Sequence, residues 1–149
     1  MSDHLAGRHV VEVVERDDGC VFTAEPNYYV APYRSWWSQE RRAMRFVRGR
    51  VLDLGCGAGR VGLHLQGRGH EVVGIDVSPL LVQIARERGL ADVRLGTFNS
   101  AVEVGERFDT ILLLGNNLGI LAGEQQGRRL LGKLARVATD KGRGAGRVL

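Results

Sequence analysis

Cysteine and proline are scarce in this 149-residue chain, at two and three residues. No apolar stretch comes near the ~20 residues that cross a bilayer, so a membrane-spanning helix is not expected. Two cysteines cannot build a disulfide framework, and Cys56 lies inside a glycine-dense turn, so a reducing cytoplasm is the expected setting. The start, Met1-Ser2-Asp3-His4, has no basic segment followed by an apolar one, which argues against a secretory leader. His4, His9, His64 and His70 show no ligand spacing, so no metal site is expected. What remains is ordinary for one globular domain: 44% hydrophobic, 26% charged and able to bury a sizeable core. The net charge of +4 raises nucleic acid as a partner. The arginines are scattered, however, in small clusters at Arg41-Arg42, Arg86/Arg88 and Arg128-Arg129. A solvated surface outweighs a phosphate-tracking patch, and no nucleic acid is expected.

Against this background one segment stands out. Val51-Leu52-Asp53-Leu54-Gly55-Cys56-Gly57-Ala58-Gly59-Arg60 joins an apolar run, a glycine-dense turn and the opening of a helix. Downstream, Val72-Val73-Gly74-Ile75-Asp76 is a second apolar run that ends in a carboxylate. Strand, glycine turn, helix and acid-terminated strand make a βαβ unit suited to a nucleoside-bearing ligand. An acid at the end of the second strand is placed to accept hydrogen bonds from both ribose hydroxyls. Dinucleotide folds space their glycines G-x-G-x-x-G. Here Gly55, Gly57 and Gly59 are one residue tighter, which disfavours a nicotinamide-dependent oxidoreductase.

The tighter spacing, with Asp53 before it, resembles the first motif of class I S-adenosylmethionine-dependent methyltransferases. The resemblance runs over roughly residues 46 to 138. Asp76 corresponds to that superfamily's ribose-binding acid, and the segment 108–117, Phe108 to Asn117, to its fourth motif. It implies an α/β, Rossmann-like, doubly wound and mostly parallel sheet. It also implies S-adenosyl-L-methionine as cofactor and methyl transfer to a small-molecule acceptor. The resembled fold has seven strands, whereas residues 146–149 only begin a fifth. A C-terminally truncated sheet is therefore expected, incomplete at that edge or completed by a homodimer or domain swap. The competing reading is a non-catalytic or partner-completed cofactor-binding module.

Local patterning fills in the elements. The β-branched run His9–Glu15, the turn signal Asp17-Asp18-Gly19 and the run Cys20–Ala24 read as a hairpin. An aromatic loop from Pro26 to Pro32 precedes a helix predicted from about Ser35 to Val47, with Trp36, Trp37, Met44 and Phe46 available for burial. These elements form an N-terminal part, residues 1–48, that covers a cofactor domain of residues 49–149. In that domain strands are predicted at Val51–Leu54, Val72–Asp76, Asp92–Leu95 and Thr110–Leu114. Helices are predicted at about Gly59–Gln66, from Pro79 to near Gly89, and at about Glu124–Ala138. Ser78 is the expected cap of the second helix, and Leu81, Ile84 and Ala85 its inner face. The last helix has Leu130, Leu131, Leu134 and Val137 at helical spacing.

Each site residue has a functional and a plain reading. Gly55 and Gly57 let backbone approach the methionine moiety of the cofactor, with the following helix N-terminus facing its carboxylate; the alternative is a tight structural turn. Asp53 and Gly59 belong to the same cofactor-binding turn, and Cys56 contributes backbone. Asp76 is the ribose acceptor rather than a helix cap, because Ser78 fills that role, and Val77 packs on adenine. The superfamily's adenine-binding acid after the third strand is replaced by Gly96-Thr97-Phe98. Thr97 or a backbone carbonyl is the expected substitute, and Phe98 fits either an adenine platform or the core. Gly115 and Asn116 end the fourth strand beside the expected methyl group, where Asn116 either orients substrate or closes the turn. The catalytic candidates are Asn116 and Tyr28. Tyr28, Tyr29, Tyr33, Trp36 and Trp37 either cover the pocket, where an aromatic face suits a sulfonium, or pack on the sheet.

Overall fold

The structure is a computed structural model, and residues 12–15, 19–24, 26–97, 99, 105–114 and 124–140 are described. Two strands, β1 (Glu12–Glu15) and β2 (Val21–Ala24), pair antiparallel as the predicted hairpin. The main sheet has four strands: β3 (Val51–Leu54), β4 (Val72–Asp76), β5 (Asp92–Leu95) and β6 (Thr110–Leu112). All of its pairings are parallel, in the order β5-β4-β3-β6. Order reverses beside β3, where the C-terminal strand ends of a doubly wound sheet open a crevice. The fold is the expected Rossmann-like one.

Period-two alternation sorts the strand side chains. Leu52, Leu54, Val73, Ile75, Ile111 and Leu113 form one face, packed with Phe108 against Leu130, Leu134 and Val137 of α4 (Glu124–Val137). Leu131 is 48% exposed, so it does not join the buried stripe. Its position lies one residue off the 130, 134, 137 line, about 100° around the helix. The opposite face, Val51, Val72 and Leu112, packs against Val61 and Leu65 of α2 (Arg60–Gln66) and against Trp36. A third cluster joins Cys56, Leu90 and Val93 to Val82 and Ala85 of α3 (Pro79–Glu87). On α3 the inner face is Val82, Ile84 and Ala85, with Leu81 only half-buried.

Helix ends obey local chemistry. Ser78 Oγ accepts from the Leu81 N–H, Pro79 occupies the first helical position, and Gly89 follows the last turn with φ +98°. That is the capping expected from Ser-Pro at the start and Gly at the end.

The N-terminal helix differs from its expected form. Instead of one helix over 35–47, there are short 3-10 turns at Tyr33–Ser35 and Met44–Phe46 around α1 (Ser38–Ala43). Trp36 and Trp37 are extended, with ψ of 154° and 149°. This break lets Trp36 turn into the core, where its indole N–H donates to the Ala31 carbonyl at 2.9 Å. Trp37 and Phe46 are 60% and 48% exposed, contrary to the expected burial, because the break leaves only one of the two indoles facing inward. Strand β6 is likewise shorter than the expected 110–114, although Leu113 is still buried.

Candidate functional site

The glycine turn is built around left-handed backbone. Gly55, Gly57 and Gly59 have φ of +70°, +56° and +78°, a region that glycine enters without steric strain. Their roles separate. A Cβ on Gly59 would meet Ala85 and Leu90 at 3.1–3.3 Å, so this glycine lets α2 pack against α3. A Cβ on Gly57 would meet nothing within 4 Å, so that glycine borders open space. The turn amides are already engaged. Those of Gly55 and Cys56 donate to the Ile75 carbonyl at 2.8 and 3.1 Å, and that of Gly59 to the Cys56 carbonyl at 3.0 Å.

Asp76 is turned toward this loop. One carboxylate oxygen accepts the Gly57 N–H at 2.8 Å and the other the Ser78 N–H at 2.9 Å. A carboxylate has about four lone-pair sites, so each oxygen keeps capacity for a ligand hydroxyl. Beside it, Val77 is 70% exposed and Leu95, the register partner of Asp76, 56% exposed. Together they make an apolar rim at the C-terminal strand ends. Thr97 is exposed just beyond β5, where the Gly96 N–H donates to the Asp76 carbonyl at 2.9 Å.

Asp53 lies deeper. It is 3% exposed, and its Oδ2 has no hydrogen-bond partner. Burial pushes its carboxyl up to about 7; the charge of Arg60 pulls it down, Asp76 pushes it up, and a hydrogen bond from the Gly62 backbone pulls it down. The helix N-terminus expected to face a ligand carboxylate thus already receives a protein carboxylate. The Cys56 thiol is pushed well above its ordinary range, first by burial and then by Asp53 and Asp76. Its sulfur packs inward: a Cβ on Gly74 would lie 2.9 Å from it. Cys56 therefore presents backbone to the turn and side chain to the core.

Two residues outside the expected site organise its other wall. Glu40 and Arg60 form a buried bidentate pair, with N···O distances of 2.6 and 3.2 Å. The guanidinium also lies 4.2 Å from the Tyr28 ring centroid and 4.5 Å from that of Trp36. Tyr28 donates its hydroxyl to Glu40 Oε1 at 2.6 Å. Burial and then this bond push the phenol up to about 12, so Tyr28 holds its proton and is a poor base. One sequence signal was available for this cluster: Glu40 is the only acid between residues 26 and 50.

The structure thus brings Asp53, Gly55, Cys56, Gly57 and Asp76 together at one strand end, with Val77 and Thr97 at its rim. Gly59 is next to them but faces α3. Phe98, Gly115 and Asn116 lie outside the described residues, as do His4 and His9. Among the described residues no cluster of His, Cys, Asp and Glu could hold a metal ion.

Comparison with known proteins now decides the family. The profile of the family described as "Methyltransferase domain" matches residues 51–142. The chain belongs to the class I S-adenosylmethionine-dependent methyltransferases. An S-adenosylmethionine-dependent methyltransferase from Bacteroides fragilis, solved with S-adenosyl-L-homocysteine, matches with TM-score 0.73 and 28% identity, over 88% of this chain and 53% of that one. The ubiquinone biosynthesis O-methyltransferase of Azorhizobium caulinodans is 36% identical over 84 residues, or 52% of this chain and 33% of its own length. The 2-heptyl-1-hydroxyquinolin-4(1H)-one methyltransferase of Mycobacteroides abscessus is 40% identical over 72 residues, covering 44% of this chain and 32% of that protein. The methyltransferase chain described here thus spans about a third of the length of these curated relatives.

Proposed function

We propose that this methyltransferase chain binds S-adenosyl-L-methionine at the glycine turn and serves methyl transfer to a small-molecule acceptor. The observation that carries the reading is the Asp76 carboxylate, held by the Gly57 and Ser78 amides at the C-terminal strand ends. The open space beside Gly57 suits a ligand that approaches backbone. The orphaned Oδ2 of buried Asp53 suits a cationic group, so the residues present fit the cofactor. In this reading Asp76 takes the ribose hydroxyls, Val77 and Leu95 flank adenine, and Thr97 replaces the superfamily's adenine-binding acid. Gly55, Cys56 and Gly57 border the methionine moiety, and Asp53 supplies negative charge toward its ammonium.

Held there by Asp76, Asp53 and the turn of Gly55, Cys56 and Gly57, S-adenosylmethionine would supply an activated methyl group on a positively charged sulfur. The chain's part is to hold and orient, because alignment supplies much of the rate in a methyl transfer. Gly115 and Asn116 remain proposed neighbours of the acceptor. Tyr28, its proton retained, acts through its ring and its bond to Glu40.

No helix among the described residues is long and apolar enough to cross a membrane. Cys20 and Cys56 are both free of disulfides, which supports a reducing, cytoplasmic setting. Among the described strands β6 has a neighbour on one side only. A homodimer or domain swap that completes the sheet there belongs to the same proposal, and light scattering reads it directly. The binding claim is tested by titrating the full chain with S-adenosylhomocysteine. Saturable binding that weakens in Asp76→Ala is expected; well-folded protein without a binding isotherm would end the reading.

A further inference from the structure

We propose that Glu40 and Arg60 are positioning residues for cofactor capture: their buried ion pair clamps the aromatic segment 26–46 onto the helix that leaves the glycine turn. The inference rests on the cofactor reading above.

The geometry is that of a clamp with four contacts on one cation. Arg60 opens α2 immediately after Gly59. Its guanidinium makes two hydrogen bonds to Glu40 of α1 and lies against the rings of Tyr28 and Trp36. All three partners come from the N-terminal segment, and Tyr28 is tied back to the same Glu40 carboxylate. The pair is nearly dry, with side-chain exposures of 8% and 6%. Buried ion pairs seldom add net stability, because desolvation offsets the attraction. Planar bidentate geometry with ring stacking is instead a device for fixing orientation, and one that lysine cannot reproduce. A hydrophobic pair would hold the segment without that fixed orientation.

The clamp has a second consequence. Arg60 is on the same first turn of α2 whose Gly62 amide bonds Asp53, and its charge opposes the protonation of that carboxyl. The groups that face Asp53 are therefore Arg60 from α2, Asp76 from β4 and Cys56 from the turn, with Glu40 and Tyr28 behind Arg60. Holding Arg60 in place keeps its positive charge acting on the Asp53 carboxyl.

Both tryptophans of the chain, Trp36 and Trp37, lie in the clamped segment, so intrinsic fluorescence reports on that segment alone. The experiment combines tryptophan emission with calorimetric titration of S-adenosylhomocysteine from pH 5.5 to 8.5, on wild type, Glu40→Gln, Arg60→Lys and Arg60→Leu. Glu40→Gln and Arg60→Lys are expected to shift emission to the red and to weaken binding roughly tenfold, the factor for a segment seated about a tenth of the time. Arg60→Leu is expected, in addition, to move the pH midpoint of binding upward, whereas Arg60→Lys, which keeps the charge, leaves it near wild type. A merely structural clamp would not separate those two midpoints. If Arg60→Leu does not fold, the pair Glu40→Leu/Arg60→Leu replaces it, since it leaves no buried charge unpaired. Wild-type emission and affinity in Glu40→Gln and Arg60→Lys would overturn the proposal, as would coincident pH midpoints. Absence of binding in wild type, with the emission shifts present, would instead remove the cofactor reading and leave the clamp as a fold element only.

Discussion

The two faces of the parallel sheet are filled by different chemistry. Behind Leu52, Leu54, Val73, Ile75, Ile111 and Leu113, the partner is α4, and the cluster is wholly apolar. The other face carries Val51, Val72 and Leu112, and with them Asp53, Asp76 and Thr110; Glu40 and Arg60 close over it. These five are all the buried polar or charged residues among those described. Burying charge is costly, and the four charged residues lie on this one face, with Asp53 and Asp76 toward the C-terminal strand ends. Thr110 starts β6 at the other end and bonds the Arg48 backbone. That placement of charge separates the part of the molecule that holds the fold from the part that meets a ligand.

The largest way to break this contrast is on the apolar side. Leu134→Ala should lower stability by about 2–5 kcal/mol and leave the S-adenosylhomocysteine affinity of the folded protein unchanged. Chemical denaturation beside calorimetry checks both, and a parallel loss of affinity would blur the division. Next, Gly74→Ala forces a methyl against the Cys56 sulfur and should be destabilising by about 1–3 kcal/mol. Cys56→Ala in the same chain should restore part of that loss, and additive melting shifts would show that the two do not touch. On the polar side, Asp76→Ala should weaken binding by roughly 1–3 kcal/mol and also lower melting, because the Gly57 and Ser78 amides lose their acceptor. Unchanged affinity in the folded variant would make Asp76 a fold residue only.

Asp53→Asn tests the buried charge. Its folded carboxyl is raised by burial to about 7, above the unfolded ~3.9. Its contribution to wild-type stability is therefore fully present below about pH 4 and is lost as pH rises toward and through 7. The variant should gain on wild type across that window and level off above it, read as a melting-temperature difference that grows with pH. A difference that does not vary with pH would show that Asp53 does not titrate there. The smallest effect is expected at Leu131→Ala, within about 0.5 kcal/mol, because that side chain is half exposed. A core-sized loss would restore it to the buried stripe.

The apolar face was legible from residue periodicity alone, with the exception of Leu131, where a leucine-rich helix offered two neighbouring stripes. The glycine turn and both acids were legible as well, since Gly55, Gly57 and Asp76 carry backbone and terminal-strand demands that few other residues meet. The Glu40–Arg60 clamp was not. Arg60 reads in sequence as the end of a motif and Glu40 as one charge on a basic helix. Neither periodicity nor spacing records that residues 20 apart share a dry site. The break at Trp36-Trp37 was hidden for the same reason, because local propensity favours one continuous helix and only tertiary packing against His64 and Arg60 draws Trp36 inward.

The sequence by itself determined the order of strands and helices, the parallel sheet and the turn between β3 and α2, because alternation, capping and glycine conformation act over a few residues. Tertiary structure alone decided which charges are buried. It turned Gly59 toward α3, gave Asp53 the Gly62 amide and an unpartnered oxygen, and closed the Tyr28 hydroxyl onto Glu40. Those outcomes depend on distances between segments far apart in the chain, and burial makes each of them matter.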